Sequence, residues 1–214
     1  MMKKDMADSV SVTWQLLCDD HGFTREHYNQ LKKFSPETLR GIIAEIACCH
    51  PSASVLLRNK WLTPTEDILG QVIREYERRI QDCPSLRNEK EAESWLNELF
   101  FAVIAPLSRV TRGESELAES FLLQLITEQE RIGDLVSTND GYSWTCALYD
   151  MLLHLILRNS EGQAEYLRQH VTKMLNESDS VVITEEIKYR IQYLQDDAQK
   201  RVLSVLVDNF TSEG

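Results

Sequence analysis

Cysteine and histidine are the residue types to weigh first for chemistry, and two groups of them stand out: Cys18-x-x-His21 and Cys48-Cys49-His50. A structural zinc site shows two ordered ligand pairs at tight spacing, so that sulfur and imidazole nitrogen can complete a tetrahedron. These groups lack that order. Cys48 and Cys49 fall near the end of an amphipathic stretch, where cysteine behaves as a small buried hydrophobe. No metal and no other cofactor is expected. Neither GxGxxG nor a GxxxxGK phosphate loop occurs, no G-x-S-x-G elbow is present, and none of His21, His27, His50, His154 and His170 belongs to an HExxH pair. His154 lies among Met151, Leu152, Leu153 and Leu155 and reads as a boundary residue with its hydrogen bonds satisfied. Carboxylates abound, but without a cleft no two can be chosen as acid and base. No catalytic residue is assigned.

Binding chemistry has a better candidate. Arg58, Lys60, Arg74, Arg78 and Arg79 form the densest basic group. Arg74 and Arg78 are four apart and share one helix face. Trp61 lies beside them in sequence and has the character of an aromatic anchor at an interface hot spot. Each also has a structural reading: Trp61 in the core, and Arg79 paired with Glu75.

The elements that must position these residues are helices. Leu39, Ile42, Ile43, Ile46 and Ala47 mark one face of a helix opening at Ser35-Pro36, with serine as N-cap and proline at the first helical position. Thr63-Pro64-Thr65-Glu66 repeats that grammar as a capping box for a helix carrying Ile68, Leu69, Val72, Ile73, Tyr76 and Ile80, which stops before Cys83-Pro84. The stretch from Trp95 to Leu107 is apolar nearly all round and belongs at the centre of a bundle, kinked or ended by Pro106. A helix through Leu117 to Ile132 follows Gly113, and Asn139-Asp140-Gly141 reads as a turn. Helices are expected over Trp144 to Leu157, around Ala164 to Leu175, and from about Thr184 to Asn209; only Val181 to Ile183 hints at strand alternation. The fold class is all-α, a helical bundle of about seven or eight helices. Its expected organisation is an N-terminal helical appendage (1–34), a core helical bundle (35–177) and one long C-terminal helix packing on it (178–214).

Composition agrees with this. The 214 residues include only 8 glycines and 5 prolines, too few for a fold of many tight turns, and 43% are hydrophobic. The net charge of −11 argues against general nucleic-acid binding. The late acidic excess, including Glu114, Glu116, Glu119, Glu128, Glu130 and Asp134, reads as a solvated face. No apolar run is long enough to span a bilayer, Met1-Met2-Lys3-Lys4-Asp5 has no signal-like stretch behind it, and five cysteines form no even framework. An intracellular protein, nuclear or cytoplasmic, is expected.

From Ser35 to Leu86 the order of features is Leu39-x-x-Ile42-Ile43-x-x-Ile46, His50-Pro51, Pro64-Thr65, an amphipathic stretch from Glu66 to Gln81, and Pro84. Proline after His50 stops one helix and starts the next, and the imidazole is placed to cap the last carbonyls. This order resembles the fungal family that tethers the proteasome in the nucleus. The resemblance implies a six-helix bundle that dimerises, an adaptor role in nuclear protein degradation, and a lysine-rich segment before the bundle that contacts the proteasome. In this chain the first 34 residues carry Lys3, Lys4, Lys32 and Lys33 as their lysines.

Three readings follow. One is a non-enzymatic adaptor of that kind, with the proteasome as partner. Another is a helical interaction subunit or effector in some other pathway. The third is a helical enzyme, which a deep polar pocket near His154 or His50 would favour. The apolar Trp95–Leu107 segment is either wholly internal or shared with a second copy in a homodimer.

Overall fold

The structure is a computed structural model that describes residues 25–129, 132, 136, 138–176 and 180–212. Among these the chain is all-α, a helical bundle with no strand. The appendage residues Val10, Val12, Trp14, Leu16, Leu17 and Phe23, and with them Cys18 and His21, lie outside the described residues.

The chain forms two compact units, Met1–Cys49 and His50–Gly214. The sequence boundary expected after Phe34 therefore falls inside the first. That unit contains α1 (Arg25–Leu31) and α2 (Pro36–Cys49). Ser35 is the N-cap of α2: its Oγ accepts from the Thr38 amide at 3.1 Å. No residue of α2 is buried, Ile43 and Ile46 are exposed, and so are Cys48 and Cys49, which are not the buried hydrophobes that their place in the sequence suggests.

The second unit holds α3 (Pro51–Leu56), α4 (Ile68–Gln81), α5 (Glu89–Leu99), α6 (Ser115–Thr127), α7 (Thr138–Asn159), α8 (Ala164–Asn176), α9 (Ser180–Tyr193) and α10 (Asp197–Ser212). The long helix α7 packs against α5, α6, α8 and α9, and its Leu148, Tyr149, Leu152, Leu153, Leu155 and Ile156 are buried in one continuous core. Burying a leucine or isoleucine contributes roughly 1.5–3 kcal/mol each, so this face holds the unit together. Among the described residues no helix is long and apolar enough to cross a membrane.

Several local expectations change. The helix from Thr184 to Asn209 is two helices, broken at residues 194–196. Asp196 causes the break: its Oδ1 accepts from the amides of Ala198 at 2.8 Å and Gln199 at 3.1 Å, an N-cap that starts α10 afresh. Residues 181–183 lie inside α9, so the strand hint is not realised. Asn139-Asp140-Gly141 is no turn but the opening of α7, whose first turn tolerates polar capping types. Leu117 is exposed, while Glu119 is buried rather than part of a solvated face.

The Trp95–Leu107 stretch is internal, as one of its two readings had it: Leu99 and residues 102–107 are buried within the chain, and Phe100 and Phe101 are half-buried. It is not one α-helix. After α5 the ladder widens to a π-helical turn, Phe100–Ile104, in which the Ala105 amide donates to the Phe100 carbonyl. Pro106 explains the widening, because it has no amide to give Ala102 and its ring crowds that carbonyl. His50 opens α3 through its backbone: its carbonyl accepts from the Ser54 amide at 3.1 Å, and its imidazole makes no cap bond there.

Candidate functional site

A second π-helical turn, Leu57–Leu62, follows α3 and carries three of the candidate residues, Arg58, Lys60 and Trp61. Beneath it lies a polar pin. Asn59 is only 1% exposed, and the Gln71 amide of α4 donates to its Oδ1 at 2.7 Å. The Thr63 hydroxyl is 2.9 Å from both the Arg58 carbonyl and Gln71 Oε1. Thr63 therefore faces inward and does not cap a helix. After Pro64 the chain makes a 3₁₀ turn, Thr65–Asp67, and α4 begins only at Ile68 with no side-chain cap, so the expected capping box is absent. The threonine serves the preceding turn instead, its hydroxyl a donor placed between the Arg58 carbonyl, which the wide ladder leaves free, and Gln71 Oε1.

With the turn pinned from below, Trp61 lies at the surface, 47% exposed, and Leu62 beside it is 70% exposed. Trp61 is not in the core. Two cations approach its ring: Lys60 Nζ is 5.2 Å and the Arg109 guanidinium 5.3 Å from the centroid. Arg109 also donates to the Lys60 carbonyl, and its other terminal nitrogen is 3.4 Å from Thr65 Oγ1. Burial, and then the nearby Arg109 charge, lower the pKa of Lys60. Cations, an exposed indole and an exposed leucine thus share one rigid turn, a mixture typical of protein-binding hot spots.

The arginines of α4 divide differently. Arg79 is buried and paired with Glu75 at 3.3 Å and Glu98 at 3.2 Å, so its structural reading holds. Arg78 is exposed and bonds Glu75 at 2.8 Å, which spends its charge on its own helix. Burial pushes the Glu75 carboxyl up, but Arg78 and Arg79 together outweigh it and hold the group below its ordinary range. Arg74 is exposed, its guanidinium lying along the helix beside Gly70. The structure joins Arg58, Lys60 and Trp61 on one turn and adds Arg109 and Leu62, which sequence reading missed. Arg109 is remote in sequence, and no spacing rule could have linked it to Trp61.

Two polar clusters inside the bundle were also not foreseen. Glu119 on α6 accepts from Asn159 Nδ2 at 3.0 Å and the Tyr166 hydroxyl at 3.0 Å, and its other oxygen is 2.7 Å from His170 Nδ1. The Tyr166 and His170 rings stack at 3.9 Å. Burial, and then the Glu119 charge, push the Tyr166 phenol up to about 12. Nearby, Arg158 bonds Ser115 Oγ at 2.7 Å and the Ser108 carbonyl at 3.1 Å. These bonds tie α6, α7 and α8 together.

In the other cluster Arg190 on α9 donates to the Asp150 carboxylate on α7. Glu186 lies one turn before Arg190; burial first, and then the Asp150 charge, raise its pKa to about 7 against the opposing pull of Arg190. His154, one turn along α7, is held down at about 3, first by burial and then by the charges of Arg190, Arg158 and Lys60. A shallow open groove of about 500 Å³ runs along α8 between Glu165 and Asn176, and neither His154 nor His50 lines it. No group of three or more metal-ligating side chains occurs among the described residues.

Compared with protein-family models, curated proteins and solved structures, the chain matches none.

Proposed function

We propose that this chain is a non-enzymatic adaptor, a helical bundle that docks another protein through the face formed by Trp61 and Leu62. The observation that carries this reading is an indole almost half exposed on a turn that is itself fixed by a buried Asn59–Gln71–Thr63 pin. Large aromatic surface is left in water at a rigid place and flanked by Lys60 and Arg109, and such surface gains most when a partner covers it. The adaptor reading is further supported by how the polar clusters are used: Glu119 has its bonding capacity taken up by three neighbours that hold helices together.

The proteasome as partner, and the nucleus as its place of action, rest on the resemblance of Ser35–Leu86 to the tethering family. The test is affinity purification of the tagged chain from its native cells, with Trp61→Ala and the double variant Ile43→Glu/Ile46→Glu alongside. Proteasome subunits that accompany the parent chain and are lost from a variant would support the tether. A different protein lost with Trp61→Ala supports the adaptor and discards the tether. A set of partners indifferent to Trp61 rejects the docking face.

A further inference from the structure

We propose that the segment docked at Trp61 is an acidic one, a peptide whose carboxylates meet Arg58, Lys60 and Arg109 while one of its apolar side chains covers the indole and Leu62. This rests on the docking reading above and adds the chemistry of the partner.

Elsewhere in the bundle cations near carboxylates are satisfied: Arg79 by Glu75 and Glu98, Arg112 by Glu161, and Arg190 by Asp150. Among the described residues, no ion pair engages Arg58, Lys60 or Arg109. An exposed unpaired lysine is ordinary, because water solvates it. Lys60 and Arg109 are only half-exposed and lie against one indole, where burial and then the Arg109 charge disfavour the charged form of Lys60. Carboxylates arriving there relieve that repulsion and find donors already in place. Arg109 has its fork oriented by the Lys60 carbonyl, so little ordering is left for the partner to impose.

Net charge and exposed apolar area favour a peptide over other polyanions. The whole chain carries −11, which repels a nucleic-acid backbone or an anionic bilayer over a Debye length, whereas a short acidic segment needs only local contacts. Leu62, 70% exposed, together with Trp61, offers apolar area that a phosphate backbone cannot use.

The experiment is a display selection of random twelve-residue peptides on the full chain, with counter-selection on Trp61→Ala after circular dichroism has shown that variant to be folded. Affinities of the enriched peptides are then measured by fluorescence anisotropy, with a single-stranded oligonucleotide and phosphatidylserine vesicles as further probes. Trp61-dependent peptides should be net acidic with a leucine or aromatic residue, and should bind about 10-fold or more weakly to Arg58→Glu/Lys60→Glu and in raised salt. Trp61-dependent peptides that are neutral or basic overturn the acidic partner and leave the docking face standing. Enrichment without any Trp61-dependent peptide, or preferential Trp61-dependent binding of the oligonucleotide or vesicles, overturns both.

Discussion

The Arg109 guanidinium lies 5.3 Å from the centroid of the Trp61 ring while donating to the carbonyl of Lys60, the residue before it. One side chain from beyond the Phe100–Ile104 turn thereby fixes both the backbone and the ring of the exposed anchor. Arg109→Ala should lower stability by about 1–2 kcal/mol, from a lost charged hydrogen bond and a lost cation–π contact. Urea denaturation measures this. Arg109→Lys should recover only part of it, because lysine has no planar fork.

Glu119 meets three side chains, Asn159, Tyr166 and His170. Replacing it by alanine leaves Asn159, Tyr166 and His170 without their shared acceptor in a buried place, and a loss of about 3 kcal/mol is expected. Glu119→Gln keeps the shape and one acceptor and should cost about half as much. An alanine variant within 0.5 kcal/mol of the parent, a rough threshold for a neutral surface change, would contradict this role.

The sequence made the apolar helix faces readable, because burial there follows a period of 3.6 and needs no knowledge of neighbours. Ile68, Leu69, Val72 and Tyr76 are buried on α4 as their spacing implies, and Leu167, Val171, Met174 and Leu175 on α8. What stayed hidden depends on competition between local and distant bonds. Asp196 ends a helix without glycine or proline, because its carboxylate satisfies two amides of the next one. Thr63 has a capping residue's sequence context, but Gln71 and the Arg58 carbonyl draw its hydroxyl inward. Of the candidate site, Trp61 with Arg58 and Lys60 was legible as composition. Its exposure was not, since a tryptophan beside helical stripes fits a core equally well.

Two partly buried groups should give the fold opposite responses to pH. Glu186, whose pKa rises from 4.5 to about 7, binds its proton more readily in the folded chain. Its contribution is therefore fully present below pH 4.5 and is lost as pH rises through 7. Glu186→Gln should remove that slope, raising Tm at pH 8 by roughly a few °C, kept small by the partial exposure of the group.

His154 acts in the other sense. Its pKa falls from 6.5 to about 3, so the folded chain resists its protonation, and stability present above pH 6.5 is lost as pH drops toward 3. His154→Leu should flatten the acid limb of the Tm-versus-pH curve. An unchanged acid limb would show that other groups govern acid unfolding.

The central claim is that Trp61 and Leu62 form a docking face. Its most direct test is a photo-crosslinking residue placed at Leu62, compared with the same residue at Leu117, another exposed leucine of the bundle. One specific protein adduct is expected at position 62, absent at 117 and reduced about 30-fold or more when Trp61 is also alanine, as for an anchor worth about 2 kcal/mol or more. The same adducts at both positions, or a position-62 adduct indifferent to Trp61, would contradict it.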